Sequence, residues 1–397
     1  MPAASPWRAT LAGLCAILVG IGIARFAYTP LIPALIQAGW FSPSEAAYLG
    51  AANLAGYLAG ALLGPRISAR LPIPMALRGM MALATVSLFA CALPLSFLWF
   101  FIWRFASGLA GAVLMVLAAP TILSHVPPQR RGLAGGVIFM GVGFGIAASG
   151  TLVPVFLEWG LTQTWCALGG VGFLLTLITW RSWPGETHGT TAAVRAGRDL
   201  RPHLLPRLKA LYASYGLNAF GLVPHMVFLV DYVARGLDQG IVASAQYWVL
   251  FGVGAVIGPV VAGYLADRIG FGPALRTSFI LQAFCVGWLA VSDGTAALVV
   301  SSLVVGAFVP GISVIALGRA QELLPPDPQA RKAAWSLATM AFAIGQAVAS
   351  YGFSFLFANG AGYGLMFGLS AGALLLAFVI EAVATTSTAA ATSSAES

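Results

Sequence analysis

Two arginines lie inside long apolar segments, where a charged side chain needs an explanation. Arg25 lies in the first such segment and Arg104 in the fourth. An arginine near the centre of a bilayer costs at least about 2.5–3.5 kcal/mol on insertion scales, so such residues usually face a polar cavity or a bundle interior. Because a guanidinium binds carboxylates through paired N–H donors, both arginines are candidates for an anion site.

Carboxylates do not occur at the depth of these arginines. All 12 Asp and Glu residues fall near predicted helix ends or in loops. A cavity for cations would be expected to bury an acid, so the arginines favour a small anionic substrate. The alternative is that Arg25 or Arg104 binds backbone carbonyls. Other polar or aromatic residues could line a cavity or form hydrogen bonds between helices: Tyr28, Asn53, Tyr57, Asn218 and Gln346.

A titratable group is also available inside an apolar segment. His225 is the only histidine placed well within one, and histidine changes charge near neutral pH. It is a candidate for proton coupling, or a hydrogen-bonded packing residue. Glu45, Glu158 and Asp231, near one rim, are further candidates, although each is also explained as a helix cap or rim charge. Ser42 and Glu45 predict a capped start of the second helix.

The composition places the chain in a membrane. Hydrophobic residues make up 59% and charged residues 8%, and the mean hydropathy is +0.90. The apolar runs are about 20 residues long, which favours helices over a barrel. We predict an all-α membrane protein with twelve transmembrane helices, at roughly 9–37, 45–66, 74–95, 97–124, 132–157, 162–181, 207–232, 243–266, 274–291, 295–322, 333–357 and 362–383.

The chain contains an internal repeat. Gly22, Phe26 and Pro30 of the first helix recur 194 residues later in the seventh, and Gly108 of the fourth recurs as Gly306 of the tenth at an offset of 198. Two parallel six-helix repeats with a site between them are a transporter design. We predict an N-terminal bundle at 1–181, a linker loop at 182–206, a C-terminal bundle at 207–384 and a disordered tail at 385–397.

The basic residues predict the orientation. All but three of the 20 lie on the side that holds both termini, which is the cytoplasm by the positive-inside rule. The net charge of +8 is thus a topology signal, and we expect no nucleic-acid partner. We also expect no cofactor and no metal, because the four cysteines lie far apart within apolar runs.

A motif stands between the predicted eighth and ninth helices. Residues Gly263 to Gly270 read Gly-Tyr-Leu-Ala-Asp-Arg-Ile-Gly and closely resemble the G-x-L-x-D-R-x-G loop of the major facilitator superfamily. The resemblance implies that Asp267, Arg268 and Arg276 latch cytoplasmic helix ends in the outward-facing state. Helix capping and topology are the alternative explanation.

The first half departs from this pattern. It keeps Arg70 but has Ala69 in the place of the aspartate, so an Asp-centred latch should be stronger in the second half. In the fourth helix, Arg104 and Gly108 resemble the R-x-x-x-G motif of superfamily exporters, where the arginine is linked to proton coupling.

The opening of the chain resembles one branch of the superfamily more closely. Residues 21–33, with Arg25 between Gly22 and Pro30, and residues 46–60 are similar to the YbfB/YjiJ-type branch. The resemblance implies the two-bundle major facilitator fold and a multi-pass protein of the bacterial inner membrane, a monomer by default.

With the arginines, this resemblance favours an alternating-access transporter that moves a small organic anion outward in exchange for protons or another solute. A proton-driven exporter of drugs or amphiphiles is the alternative within transport. A membrane-embedded sensor or lipid-handling enzyme is the alternative outside it, although we find no H-E-x-x-H motif and no phosphate-binding loop.

Overall fold

The computed structural model describes residues 6–123, 125–126, 131–184, 205–324 and 328–393. Within these ranges every regular element is helical, and twelve helices are long and apolar enough to cross a membrane. The helices are α1 (Trp7–Gln37), α2 (Pro43–Arg70), α3 (Ile73–Ala90), α4 (Phe97–Leu123), α5 (Arg131–Leu157), α6 (Leu161–Thr179), α7 (Pro206–Gly236), α8 (Gly240–Ile269), α9 (Phe271–Val291), α10 (Thr295–Glu322), α11 (Pro328–Ala358) and α12 (Tyr363–Ser393).

The predicted fold class is confirmed, and the C-terminal tail needs a correction. The segment predicted to be disordered from residue 385 continues α12 as far as Ser393. Its alanines favour helix, and extending an existing helix needs no new nucleus. Residues 394–397 and most of the predicted linker lie outside the described ranges.

Glycines at matched positions bring the helices of each half into backbone contact. A Cβ on Gly56 would collide with the backbone of Phe105, and a Cβ on Gly254 would collide with that of Leu303. Both the glycine and its neighbour shift by 198 positions between the halves. Gly60 and Gly258, and Gly108 and Gly306, repeat the relation. The α2–α4 and α8–α10 crossings are therefore the same structure, built twice.

The first and seventh helices are interrupted at mid-membrane. In α1 the α-helix Pro6–Ile17 passes into a π-helical turn at Leu18–Ile23, and α-helix resumes at Tyr28–Gln37. In α7 a π-helical turn begins at Pro224, which has no N–H to donate. Such widened turns are common at functional sites, and Arg25 follows the one in α1.

The two halves contact each other mainly on one side of the membrane. We call the face where α1 begins and α2 ends the terminal face, and the opposite one the distal face. Towards the distal face, Gly150 of α5 packs on Val249 of α8, and Tyr48 of α2 lies with its ring centroid 6.3 Å from that of Tyr351 of α11. Between these contacts and the terminal face the halves enclose a cavity.

Candidate functional site

The cavity lies between the halves and is lined from both. The space not occupied by protein atoms there is about 530 Å³, a figure that includes open solvent at the cavity mouth. Six aromatic rings form much of its wall: Phe26, Tyr57, Phe139, Tyr215, Trp335 and Phe342. The charged and polar lining residues besides the two tyrosines are Arg25, Ser313, Thr339 and Gln346. Such a mostly apolar cavity with a few convergent polar groups is the usual form of a small-molecule site.

Arg25 brings the charge to this cavity. It follows the π-helical turn of α1, and its guanidinium lies 5.1 Å from the ring centroid of Phe26 and 5.2 Å from that of Tyr57. Its Nη2 donates to the sulphur of Met226 at 4.0 Å. Among the described residues no carboxylate forms an ion pair with it. Arg25 is 9% exposed, and its guanidinium is therefore a cation without a counterion at the wall of a cavity.

Arg104, predicted to share this role, lies elsewhere. It is 2% exposed and is not part of the cavity wall. Its Nη1 donates to the carbonyl oxygen of Ala24 at 2.7 Å, and its guanidinium lies 4.2 Å from the ring centroid of Tyr28. The carbonyl of Ala24 belongs to the interrupted part of α1, so Arg104 supports the backbone that positions Arg25.

The other predicted lining residues divide into two groups. Tyr57 and Gln346 line the cavity, whereas Tyr28, Asn53 and Asn218 lie outside it. Tyr28 Oη donates to the carbonyl of Ala46 at 2.8 Å, and Asn53 Nδ2 donates to the carbonyl of Arg104 at 3.1 Å. Asn218 Nδ2 donates to Gln282 Oε1 at 2.9 Å. Those three side chains join helices within one half.

The candidates for proton coupling do not line the cavity. His225 is fully buried inside the second half, with Nε2 2.7 Å from Ser301 Oγ. Asp231 accepts from Arg235 Nη2 at 2.9 Å and from Tyr363 Oη at 2.7 Å. Glu45 forms the predicted capping box with Ser42, and Glu158 is exposed at the rim. A coupling role for any of them stays a prediction.

The predicted gating residues lie at the terminal face. Asp267 and Arg268 are exposed, and the guanidinium of Arg268 lies 4.7 Å from the ring centroid of Tyr264. Arg276 is half-buried, Arg70 is exposed, and Gly263 lies beside Val314. Gly270 ends α8 with a φ of +84°. The structure shows no latch around Asp267 within the described residues, so the latch stays a prediction.

Sequence reasoning missed most of the cavity wall. Tyr215, Met226, Trp335 and Phe342 are apolar or aromatic residues within apolar spans, so hydropathy does not separate one that faces the cavity from one that faces lipid. The only usable signal was the repeat, since Tyr215 directly precedes Gly216, the counterpart of Gly22.

The similarities to known proteins agree with this architecture. A chloramphenicol resistance protein of Streptomyces lividans is 26% identical over 286 residues, 70% of this chain and 71% of that protein. The uncharacterized MFS-type transporter YceJ of Bacillus subtilis (strain 168) is 24% identical over 280 residues, 67% and 69% of the two chains.

Solved structures show the same fold at low sequence identity. A D-xylose-proton symporter matches with a TM-score of 0.72 and 16% identity over 94% of this chain and 96% of that chain. The xylose transporter XylE of E. coli, in a partially occluded inward-open conformation, matches with a TM-score of 0.72 and 15% identity over the same shares. The profile of the family described as uncharacterised MFS-type transporter YbfB matches residues 17–382, so the chain belongs to this family of membrane transporters.

Proposed function

We propose that the protein is a secondary active transporter that moves a small organic anion by alternating access and holds it at Arg25. The observation that carries the proposal is the unpaired guanidinium of Arg25 at the cavity wall. A buried cation is costly unless it is paired. An anionic ligand would supply the missing counterion.

The position of the cavity supports alternating access. Towards the distal face Thr29 Oγ1 of α1 donates to the backbone carbonyl of Met226 in α7 at 2.6 Å. Because α1 and α7 belong to different halves, this bond and the α2–α11 and α5–α8 contacts close one side. With the terminal face in the cytoplasm, as the basic residues predict, this conformation faces inward. The latch around Asp267, implied for the outward-facing state, would then be open.

The direction of transport and the membrane in which the protein lies are part of the same proposal. We infer a monomer in a bacterial inner membrane, with both termini cytoplasmic, which exports its substrate in exchange for protons or another solute. Its role is transport and not catalysis.

A second candidate function is export of drugs or amphiphiles. It is favoured by the similarity to a protein named for chloramphenicol resistance and by the six aromatic rings of the cavity wall. The two functions differ in what they require of Arg25, because only an anion pairs its charge with a guanidinium, whereas a neutral substrate gains at most hydrogen bonds and a cationic one is repelled.

Thermal stabilisation of the purified protein by anionic, neutral and cationic solutes separates the two. We expect carboxylates to raise the melting temperature, Arg25→Ala to abolish the rise and Arg25→Lys to keep part of it, because lysine retains the charge but loses the bidentate geometry. Stabilisation by lipophilic cations alone, or an Arg25→Ala response equal to that of the wild type, would favour the drug exporter.

A further inference from the structure

Two donors from opposite halves converge on one sulphur atom. Arg25 Nη2 of α1 lies 4.0 Å from Met226 Sδ of α7, and Gln346 Nε2 of α11 lies 3.7 Å from the same atom. All three side chains line the cavity. The thioether is a weak acceptor on a flexible side chain, so a charged and a neutral donor share a partner that satisfies neither well.

Gln346 has a second unmet requirement. Its side chain is 1% exposed, and its Oε1 has no hydrogen-bond partner in the described part of the structure. A buried amide left half satisfied is uncommon in native proteins. This oxygen needs a donor, which is a separate requirement from that of the two donors on the sulphur. For Arg25 Nη2 and Gln346 Nε2 the described part of the chain supplies only the weak thioether acceptor.

We propose that the transported anion is an aromatic monocarboxylate, whose carboxylate takes the place of the Met226 thioether between Arg25 and Gln346. The proposal rests on the transport function inferred above and names the class of its substrate. Carboxylate oxygens accept from a guanidinium and an amide far more strongly than sulphur does. Met226 can move aside at little cost because it is unbranched and flexible.

The charge of the cavity sets the charge of the ligand. Arg25 is the only Lys or Arg among the described residues that line the cavity. One cation compensates one carboxylate, whereas a dianion would place its second charge against an apolar wall without a partner, which is costly. The site is thus selective for monoanions.

The walls set the shape of the ligand. Tyr215 lies with its ring centroid 4.6 Å from that of Phe342 and 6.2 Å from that of Trp335, so these three rings form one aromatic surface in the second half. Tyr215 Oη is already engaged with Ser313 Oγ at 2.8 Å, so this surface offers ring faces and edges more than free hydroxyls. Flat aromatic groups pack well in offset or edge-on contact with such rings.

Four naphthalene derivatives test the class, with binding to the full-length purified protein measured by calorimetry. The probes are 2-naphthoate, decahydro-2-naphthoate without aromaticity, 2-naphthamide without charge and naphthalene-2,6-dicarboxylate with a second charge. We expect 2-naphthoate to bind about tenfold more tightly than each of the others.

The possible outcomes distinguish failure of this inference from failure of the proposed transport function. If decahydro-2-naphthoate binds as tightly as 2-naphthoate and its binding needs Arg25, the aromatic class is overturned and the anion transporter stands. If the dicarboxylate binds as tightly, the restriction to monoanions is overturned. If 2-naphthamide binds as tightly as 2-naphthoate, both the class and the anion site fail.

Two variants test the arrangement around the sulphur. Gln346→Glu repels a carboxylate and should lower 2-naphthoate affinity at least about tenfold, and Gln346→Leu should lower it about tenfold through the lost donor. Met226→Leu removes the competing acceptor and should raise the affinity a few-fold. Melting temperatures without ligand report whether each variant is folded. A folded Met226→Leu protein that binds as weakly as Gln346→Leu would show that the sulphur is part of the wall and not a substitute for the carboxylate.

Discussion

The two halves of the molecule share their packing and differ in their chemistry. At the α2–α4 and α8–α10 crossings the same residue type stands at both positions, as Gly56 and Gly254 show. Where side chains face the centre, the halves differ: position 25 is an arginine, whereas its counterpart 194 residues later is Ala219. These crossings leave no room for a Cβ, but a cavity wall tolerates many side chains, so the halves keep the same glycines at the crossings and differ at the wall.

The terminal face shows the same divergence in a second place. In the first half Arg78 Nε, at the start of α3, donates to the carbonyl oxygen of Trp180 beyond α6 at 2.7 Å. In the second half α12 instead carries the buried Glu381, which accepts from Ser214 Oγ at 3.1 Å. The hydrogen-bond acceptor is thus a backbone carbonyl in the first half and a carboxylate in the second half.

Adding one methyl group at the matched crossings should have the largest effect on stability. Gly108→Ala and Gly306→Ala each push a Cβ into the backbone of the neighbouring helix, so each should cost about 3 kcal/mol and lower the melting temperature in detergent. Gly170→Ala and Gly372→Ala are the controls in the two halves, because a Cβ there meets no atom within 4 Å.

Unequal losses of stability in Gly108→Ala and Gly306→Ala would contradict the claim that the two halves pack in the same way. A Gly306→Ala protein that melts like the wild type, beside a destabilised Gly108→Ala protein, would show that the two crossings are not equivalent.

Replacing Arg25 and Arg104 should show which arginine stabilises the fold and which binds the anion. Arg104→Met leaves the carbonyl of Ala24 without its donor and should cost about 2 kcal/mol of stability. Arg25→Met removes an unpaired cation and should leave the melting temperature near that of the wild type or above it, while anion binding is lost. Melting curves with and without ligand measure both effects. The assignment fails if Arg25→Met unfolds the protein and Arg104→Met does not.

The smallest effect is expected at the distal ends of α2 and α8. Ser42 and Glu45 cap α2, whereas α8 begins after Gln239 without a side-chain cap. Ser42→Ala should therefore cost about 1 kcal/mol, whereas Gln239→Ala should change little, because no side-chain cap is lost there. Equal melting temperatures for Ser42→Ala and the wild type would mean that the cap contributes nothing there.

Much of the fold could be predicted from the sequence because the membrane constrains it. A span needs about 20 apolar residues, so hydropathy places the helices, and the repeated glycines reveal the duplication. Arg25 was identifiable because a charge in an apolar run is conspicuous. The same criterion could not decide between the two roles open to Arg104, since a buried guanidinium can bind a carbonyl oxygen as well as a ligand.

The rest of the site could not be predicted, for two physical reasons. Tyr215, Trp335 and Phe342 are aromatic residues of apolar spans, where hydropathy does not distinguish a ring that lines a cavity from one that faces lipid or packs inside a bundle. The interruptions of α1 and α7 also change which side chains face inward, and a regular 3.6-residue period does not show them. His225, for example, lies after Pro224 in a π-helical turn, and it points into the second half instead of the cavity.

The central claim is that the first half supplies the charge that holds the transported anion. Counterflow of labelled 2-naphthoate or another carboxylate in proteoliposomes tests it most directly, with wild type, Arg25→Lys and Arg25→Ala compared at equal amounts of folded protein. The account predicts exchange by the wild type, reduced exchange by Arg25→Lys and none by Arg25→Ala. Exchange by Arg25→Ala at the wild-type rate, or exchange of neutral and cationic solutes alone, would contradict it.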